Sequence, residues 1–558
     1  MSASDDFSTA SAPGLPGAPD TAGDNDSWTS EMTKARKSPL RVALVCGPDP
    51  VLEGWQAEIL RRIAAEPGLH LAGRITGVPG GPGPQVSGAV RAVLSAEARL
   101  TFAARPDLPV AEGQAILSRL APVAPGEADV ALALWPDRLS TGDLAQIAHG
   151  EISVVVGGHA PGMRALRVAP AARRLGLLEA EVIRRSGPEG GAEVLARASY
   201  NPKLTSVLTA QFIAEKCALL LLRSLVALGT PGEGDGGIEA ARPEAPGERL
   251  ALPRSRDLPG YIGQAARAIA TRWDDSRRRA RDRGRDFWAL SLVPGDLLDL
   301  DPAAGQPLPR LSHTMADPFL FEHNGETHVF YEAQKADGSA AWIDVARLEG
   351  ERLVPLGTAL RRDYHLSFPF VFRDGDDIFM MPETQSTRRL EVWRATRFPL
   401  EWELHATALE GRYPADSTLL RHDGTWLLFS NLSDHVRFHE HSSALYLFAC
   451  DGPGLGGMVA HPRNPVVLGS DVSRNAGAVT ATGGRLIRPS QINSFGVYGY
   501  GLNLMEIETL TPTRYRETRL RAFTPETLPG VLGLHHVTSA GGVCIFDWAG
   551  RSGQVVHP

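Results

Sequence analysis

The feature that most constrains the fold is a hairpin pattern that occurs five times in the C-terminal half of the chain. Each copy has an apolar stretch, a polar turn that contains glycine, and a second stretch rich in aromatic or branched residues. This is the pattern of two antiparallel β-strands joined by a tight turn. Because the copies follow one another, they predict a repeat architecture. The copies span residues 315–332, 366–383, 415–431, 475–491 and 535–548.

The spacing of the copies predicts a β-propeller. Aligning the turn glycines makes four positions equivalent, with separations of 50, 49 and 60 residues: Asp317, Ser367, Asp416 and Ala476. A propeller blade is a small sheet with a repeat of this order that buries its faces against neighbouring blades. Residues 285–558 are therefore expected to form an all-β propeller of five blades. A Kelch-like binding propeller has a similar period and is an alternative, although among the hairpin copies only the glycine pairs at 483–484 and 541–542 match its signature.

The hairpin geometry also predicts which polar side chains meet. In an antiparallel hairpin, the first strand begins at the sheet edge where the second strand ends. If each copy is the innermost hairpin of its blade, two rings of polar residues surround one mouth of the central channel, and several carboxylates converge there. The strand starts contribute Asp317, Ser367, Asp416, Asn475 and His536, and the strand ends contribute Glu332, Glu383, Asn431, Gln491 and Asp547.

The N-terminal half carries a different pattern. Residues 1–38 are rich in Ser, Asp, Gly, Pro and Ala, which predicts a disordered arm and not a secretory signal. Over residues 39–229, apolar strand-like runs alternate with helical segments, which is typical of an α/β domain with a parallel, doubly wound sheet. Residues 230–284 have the composition of a linker followed by a basic helix. The predicted fold is multidomain, an α/β domain plus an all-β five-bladed propeller.

Composition and charge indicate which kinds of partner and which compartment the chain is suited to. The chain has 558 residues and a formal net charge of −7, which is too small for this size to predict a nucleic-acid partner. Its four cysteines are widely spaced and form no CxxC pair, which favours a reducing, cytoplasmic compartment. The most apolar run, residues 218–222, is too short for a transmembrane segment. The sequence does not determine the oligomeric state.

Two local motifs have some features of a cofactor or metal site, but neither predicts one. The glycines between positions 80 and 88 are interrupted by prolines that remove amide donors, and neither GxGxxG nor GK[ST] is present, so we expect no cofactor. The histidines at 435, 439 and 441 have a spacing that can ligate a metal ion. Loop histidines are usually solvated, and strand alternation explains the last two equally well, so we predict no metal site.

The α/β segment resembles a formyltransferase domain in its first strand, in the passage WQAEILRRIAAEPGLHL and in EISVVVGGHAPGM. That resemblance implies a catalytic Asn-x-His motif, followed later by an Asp, that acts on a folate-borne formyl group. The matching positions in this chain are Gly157 and His159, so the asparagine is absent. We therefore expect a degenerate formyltransferase-like domain, with formyl or acyl transfer as an alternative function of the chain.

The propeller segment resembles the N-terminal domain of plant glucosamine inositolphosphorylceramide transferases and, more distantly, five-bladed glycoside hydrolases of the arabinanase and xylosidase type. The motifs that carry this resemblance are ADPF at 316, SFP at 367, PET at 382, ADST at 415, RNAG at 474 and RPSQ at 488. In the hydrolases, one carboxylate acts as base, a second tunes the acid and a third donates the proton. The resemblance implies these roles for Asp317, Asp416 and Glu383, respectively. In the plant proteins a separate glycosyltransferase domain performs the transfer, and no segment of this chain resembles it.

These observations favour a protein that acts on a glycosidic linkage, by hydrolysis or transfer, in surface-glycan or glycolipid metabolism. Its expected partner is a carbohydrate or glycolipid substrate. The alternative is a non-catalytic glycan-binding module, in which the aspartates cap strand starts and the aromatic residues form core between blades. We expect substrate contacts from Glu332, Asn431, Arg474, Asn475, Arg488, Gln491 and His536, and stacking on sugar faces from Tyr331, Trp342, Tyr498 and Tyr500.

Overall fold

A computed structural model describes residues 28, 30–31, 39–80, 87–102, 110–159, 176–187, 191–229, 250–281, 286–335, 339–433 and 440–551. The described residues form an α/β unit up to residue 229, then a long helix, and a β-propeller from residue 286. Most of the predicted N-terminal arm, and residues 230–249 of the predicted linker, lie outside the described residues.

The α/β unit is built on one six-stranded sheet with the order β2-β1-β3-β4-β5-β6. The first four strands are parallel, and β5 and β6 continue the sheet as an antiparallel hairpin. The expected parallel sheet is thus present over four strands. The strands are β1 (Leu40–Cys46), β2 (Leu69–Thr76), β3 (Val130–Leu132), β4 (Glu151–Val156), β5 (Leu178–Ser186) and β6 (Gly191–Tyr200).

Apolar side chains cover both faces of this sheet, because successive strand residues point to opposite sides. Leu44 packs in the cluster that contains Ile59 of the first helix, whereas its neighbour Val45 packs with Leu144 on the other face. The helices are α1 (Gly54–Ala65), α2 (Gly88–Phe102), α3 (Val110–Arg119), α4 (Thr141–Leu144), α5 (Ser206–Leu228) and α6 (Leu258–Arg281). None of the helices in the described part of the chain has the length and apolar character needed to cross a membrane.

Four of the five predicted hairpin copies lie in sheets of consecutive strands, as the repeat predicts. Blade one contains β9 (Thr314–His323), β10 (Glu326–Gln334), β11 (Trp342–Glu349) and β12 (Arg352–Leu360). Blade two contains β13 (Ser367–Asp374), β14 (Asp377–Glu383), β15 (Leu390–Arg397) and β16 (Glu401–Ala408). Blade three contains β17 (Pro414–His422), β18 (Thr425–Leu432), β19 (Ala444–Cys450), β20 (Val459–Ala460) and β21 (Val467–Leu468). Blade four contains β22 (Thr480–Thr482), β23 (Arg485–Ser494), β24 (Val497–Leu510) and β25 (Tyr515–Phe523).

Blade five is assembled from both ends of the propeller segment. Its strand order is β26-β27-β7-β8, so that β7 pairs along the whole of β27. The indole Nε1 of Trp548 also donates to Ser291 Oγ at 3.0 Å across this pair. The fifth hairpin copy is therefore completed by strands that precede the first copy. The strands are β7 (Asp286–Pro294), β8 (Gln306–Pro307), β26 (Val537–Ala540) and β27 (Val543–Arg551).

Backbone conformation corrects the alignment of the repeats by one residue. Asp317, Phe368 and Asp416 have φ of 50°, 47° and 42°, and Gly477 has φ of 145°. The first three lie near the starts of β9, β13 and β17, where the ladders of blades one to three have a register shift. Gly477 precedes β22. The residues equivalent to Asp317 and Asp416 are therefore Phe368 and Gly477, and not Ser367 and Ala476. Such φ values are costly for residues other than glycine, by about 1–3 kcal/mol each.

The α/β unit packs against blades three and four. The amide of Ser470 donates to the carbonyl of Ser199 at 2.7 Å, and Lys216 of α5 lies 3.3 Å from the carboxylate of Glu440. Burial alone would raise the pKa of Glu440, but Lys216 and then Lys203 outweigh it and lower this pKa to about 2. A buried ion pair thus links the α/β unit to the propeller.

A cavity of about 320 Å³ lies within this interface, between β6 and α5 on one side and blades three and four on the other. Several of its charged lining groups already pair within the protein. Arg519 lies 2.9 Å from Asp471, and Arg197 lies 2.8 Å from Glu181. We assign this cavity to the packing of the two units.

Candidate functional site

The first part of the site is a chain of contacts between blade five and blade one. The amide of Asp317 donates to Asp547 Oδ2 at 2.9 Å, and the amide of Phe368 in turn donates to Asp317 Oδ2 at 3.1 Å. His535 lies between the two carboxylates, with Nδ1 2.8 Å from Asp547 Oδ2 and Nε2 3.4 Å from Asp317 Oδ1. The left-handed backbone at Asp317 and Phe368 turns these amides toward the neighbouring carboxylates.

The second part of the site centres on Arg474, which precedes blade four. Its Nε donates to Asp416 Oδ2 at 2.6 Å, and its Nη2 donates to Asp416 Oδ1 at 3.3 Å and to Glu383 Oε2 at 3.2 Å. The guanidinium also lies over the ring of Tyr498, 4.9 Å from the ring centroid. One arginine therefore connects carboxylates from blades two and three. We refer to Asp317, Glu332, Glu383, Asp416 and Asp547 as the carboxylate cluster.

Burial and like charge shift the protonation of this cluster. Burial raises the pKa of Asp317 to about 7, although His535 opposes the shift. Burial raises the pKa of Asp416 to about 8, and Glu383 adds to the shift while Arg474 opposes it. Burial and then the charge of Asp317 raise the pKa of Glu332 well above its ordinary range. The cluster therefore retains protons at neutral pH, because these carboxyl groups cannot all be ionised side by side.

His535 and Asp547 form the ionised part of the cluster. Burial alone would lower the pKa of His535, but Asp547 and Asp317 outweigh it and raise this pKa to about 9. Burial would likewise raise the pKa of Asp547, yet His535 lowers it. The imidazolium is therefore charged at neutral pH and is held between two acidic side chains.

Some of the predicted polar residues contact the carboxylate cluster directly, whereas others hold the backbone beside it. Gln491 contacts the cluster, since its Nε2 lies 3.4 Å from both Asp416 Oδ2 and the hydroxyl of Tyr498. Glu332 lies 3.6 Å from Nε2 of His365. Asn431 instead receives the amide of Asn475 at 2.9 Å and donates to two backbone carbonyls. Asn475 Nδ2 donates to the carbonyl of Asp416 at 2.7 Å. These two asparagines hold the loop that carries Arg474, and their expected contact with substrate stays a prediction.

Arg488 does not join the cluster, contrary to the expectation that it lines the same mouth. It is fully buried, and its guanidinium pairs with Glu517 of β25, with Nε 2.8 Å from Oε2. Its other donors go to the carbonyls of Val472 and Ser473 and to Asn475 Oδ1. The side chain is used within blade four because β23 pairs with β24 and β24 with β25, which brings Glu517 to the same face.

His536 is also not a polar member of the site. It is fully buried, with its ring 4.6 Å from that of Phe319 and 5.2 Å from that of Phe368. Burial lowers its pKa to about 3, so the ring is neutral. The histidine that meets the carboxylates is its neighbour His535, which sequence reasoning missed. The signal was the side-chain alternation of an extended strand, in which a one-residue offset exchanges the two faces.

Only one of the four aromatic residues proposed to stack on sugars contacts the cluster. Tyr498 is 48% exposed, and its ring lies beside Arg474 and 5.5 Å from the ring of His535. Tyr331 and Trp342 are buried in the core of blade one, as the alternative interpretation expects, and the hydroxyl of Tyr500 bonds Glu526.

Asp317, His535 and Asp547 place possible metal-ligand atoms within 4.8 Å of one another. Each ring nitrogen of His535 lies beside a carboxylate, Nδ1 at 2.8 Å from Asp547 and Nε2 at 3.4 Å from Asp317. The contacts fit an internal ion-pair network better than a metal centre.

Two of the sequence motifs lie only partly within the described residues. His435 and His439 of the histidine motif lie outside the described residues, whereas His441 is buried. The glycines at 81 and 83 also lie outside them, and Gly80 packs against the carbonyl of Pro136, where an added Cβ would lie 2.2 Å from the oxygen.

The fold and the cluster define a five-bladed β-propeller with a group of buried carboxyls beside one arginine and one histidine. Residues 304–529, from the region of β8 to the end of blade four, match the family described as "Glucosamine inositolphosphorylceramide transferase 1, N-terminal". The chain is 35% identical over 252 residues to the glucosamine inositolphosphorylceramide transferase 1 of Oryza sativa subsp. japonica, covering 42% of this chain and 33% of that protein. It is 34% identical over 218 residues to the protein of the same name in Arabidopsis thaliana, covering 38% and 27%. The chain thus spans about a third of the length of these curated relatives.

Solved structures that align with part of this chain include glycoside hydrolases. A family 117 glycoside hydrolase from Zobellia galactanivorans aligns over 47% of this chain and 90% of its own, with 11% identity and a TM-score of 0.31. An exo-β-1,3-galactanase from Phanerochaete chrysosporium aligns over 47% and 64%, with 9% identity and a TM-score of 0.33.

Proposed function

We propose that the propeller binds a carbohydrate or glycolipid head group at the carboxylate cluster and acts on a glycosidic linkage there. The observation that carries this proposal is the convergence of carboxyls from three blades. Glu383 and Asp416 bond Arg474. Asp317 pairs with His535, and Tyr498 lies between that histidine and Arg474. The names of the relatives include a sugar, an inositolphosphorylceramide and a transferase, which supports glycolipid metabolism as the setting.

The protonation of the cluster suits acid–base chemistry on a glycosidic bond. Asp317, with a pKa of about 7, is partly ionised at neutral pH and can accept a proton from an attacking hydroxyl or water. Asp416, with a pKa of about 8, holds a proton next to Glu383, and we propose that Glu383 delivers it to the leaving oxygen. Glycosidic cleavage requires one carboxyl that is ionised and one that delivers a proton.

A non-catalytic glycan-binding module is the second candidate. The observation in its favour is that the carboxylate of Asp317 already accepts the amide of Phe368 and pairs with His535. In that case the cluster holds blades one, two and five together, and Tyr498 and Gln491 contact the sugar.

Substitution of Asp317 separates the two candidates. Asp317→Asn keeps the shape and the hydrogen-bond acceptor but removes the base, so we expect turnover to fall about 10²- to 10⁴-fold while sugar affinity stays nearly unchanged. Turnover would be measured with a panel of aryl glycosides and activated sugars, and affinity by calorimetry with glucosamine and inositol 1-phosphate.

The matched control is Asp377→Asn, at the exposed start of β14; we expect wild-type turnover from it. If the wild-type protein turns over no member of the panel and Asp317→Asn only weakens sugar binding, the binding-module function replaces the enzymatic one.

For the α/β unit we propose a degenerate formyltransferase-like domain without formyl-transfer activity. Gly157 stands where the resemblance implies an asparagine. His159 is buried, and its Nε2 lies 2.8 Å from the carbonyl of Leu250, so this ring nitrogen is already occupied. We expect no saturable binding of reduced folates in calorimetry. Micromolar folate binding would instead support formyl or acyl transfer by this unit.

We also propose a cytoplasmic location. All four cysteines are buried and unpaired, and free thiols are typical of a reducing compartment.

A further inference from the structure

The hairpin formed by β23 and β24, the second and third strands of blade four, is the longest hairpin among the described strands of the propeller, and it carries part of the candidate site. Its two-residue tip has φ of 55° at Phe495 and 76° at Gly496, the backbone of a type I′ turn. Phe495 is 51% exposed. The tip therefore extends beyond the packed part of blade four.

The α/β unit holds this tip through backbone groups. The amide of Phe495 donates to the carbonyl of Gly176 at 2.9 Å. Asn201, which follows β6, accepts the amide of Gly496 at 2.7 Å through Oδ1 and donates through Nδ2 to the carbonyl of Val497 at 3.1 Å. Gly176 permits this approach because an added Cβ would lie 2.7 Å from the ring of Phe495.

An irregularity in the same hairpin directs Tyr498 toward the cluster. Ser494 pairs with Val497, but the next pair is Ile492 with Gly501, so residues 498–500 lie opposite Asn493 alone. Asn493 Oδ1 accepts the amide of Gly499 at 2.8 Å and fixes this bulge. The hydroxyl of Tyr498 then lies 3.4 Å from Gln491 Nε2. Tyr498 of the site thus follows Phe495 of the tip by three residues.

We infer that Asn201, together with Gly176, is a positioning residue for the candidate site: by holding the tip of the β23–β24 hairpin, the α/β unit fixes Tyr498 over Arg474. This gives the α/β unit a role in the propeller site that does not depend on formyl transfer. The ligand that Tyr498 would contact, a sugar with an exposed apolar face, rests on the proposed function.

Two glycines of the α/β unit make a matched test. Gly176 and Gly187 flank β5 and have φ of 76° and 74°, so an alanine causes similar backbone strain at both. An added Cβ at Gly176 meets Phe495, whereas at Gly187 it meets no atom within 4 Å. We expect Gly176→Ala and Asn201→Ala to shift the ring signals of Tyr498 in NMR spectra of ¹³C-tyrosine-labelled full-length protein, and Gly187→Ala to leave them at wild-type positions. Tyr498→Phe assigns the signal.

Binding of glucosamine and inositol 1-phosphate gives the second readout. We expect affinity to fall about tenfold in Gly176→Ala and Asn201→Ala, the size expected when an aromatic contact is lost, and to be unchanged in Gly187→Ala. The positioning role would be overturned if the Tyr498 signals did not shift in Gly176→Ala and Asn201→Ala, or if they shifted equally in Gly187→Ala. If the wild-type protein binds neither probe, the proposed function fails while the Tyr498 signals still decide the inference.

Discussion

At the scale of single residues, His535 shows how neighbouring charges set the charge of a buried side chain. It is buried, yet it carries a charge at neutral pH because Asp547 and Asp317 lie on either side of it. Its neighbour His536 is equally buried, but aromatic rings surround it and it stays neutral. The same residue type therefore has opposite charge states at adjacent positions, because one faces carboxylates and the other faces apolar core.

This contrast gives a prediction for Asp547. Asp547→Asn keeps an oxygen for the backbone amides of His535 and His536 but removes the largest charge that favours the imidazolium. The pKa of His535 should fall from about 9 by at least one unit, because burial then dominates. The measurement is a pH titration of the histidine Cε1–H signals by NMR. An unchanged pKa of His535 would contradict the assignment of this ion pair.

At the scale of elements, blade four depends on a buried ion pair between its second and fourth strands. Arg488 of β23 and Glu517 of β25 are both buried. Among the described residues, the guanidinium of Arg488 bonds only to groups in the protein interior. Such a pair contributes little net stability compared with apolar packing, but the loss of one partner leaves an uncompensated buried charge.

We therefore predict that Glu517→Gln destabilises the protein by about 3–5 kcal/mol. The measurement is urea unfolding followed by circular dichroism. Glu508→Gln is the control, because the pair that Glu508 makes with Arg516 is exposed and should contribute less than about 1 kcal/mol. Equal effects of the two substitutions would show that burial does not distinguish these ion pairs.

The closing blade is the other element-scale feature with consequences for the site. In the β7–β27 ladder, Leu290 is paired with Asp547, and Asp547 accepts the amide of Asp317 in blade one. The strand that closes the propeller is thus directly hydrogen-bonded to the strand that presents the cluster, so closure of the ring and assembly of the site are coupled.

At the scale of the whole molecule, the cluster makes stability depend on pH. Asp317 has its pKa raised from 3.8 to about 7, Asp416 from 3.8 to about 8, and His535 from 6.5 to about 9. Each group binds its proton more tightly in the folded state than in the unfolded state. Its stabilising contribution is complete below the unfolded pKa and is lost as pH rises through the folded pKa.

We therefore predict that stability falls between pH 7 and pH 9, by about 1.4 kcal/mol per pH unit for each extra proton that the folded state holds. The measurement is the melting temperature by calorimetry across this range. The pKa values of the buried histidines His461 and His536 are lowered from 6.5, so these two groups act below pH 6.5 and do not oppose the trend. Asp416→Asn should make the slope shallower, and a melting temperature that rises with pH in this range would contradict the protonated state of Asp416 and His535.

The sequence by itself determined the five hairpins, their order, and the convergence of Asp317, Glu383 and Asp416 on one site. These features depend on strand alternation and turn residues, which are local properties that repeat along the chain. It also predicted the parallel part of the α/β sheet from the alternation of apolar strands and helices.

Only the tertiary structure decided which polar residues face the site. Arg488 and His536 have suitable positions in the repeat, but their surroundings are set by Glu517 and by Phe319 and Phe368, which lie in other strands. The closing β7–β27 ladder joins segments more than 200 residues apart. The hydrogen bonds of Asn201 to the tip of the β23–β24 hairpin do the same. Contacts between such distant segments leave no periodic signal, because they depend on how whole sheets pack and not on the spacing within any one of them.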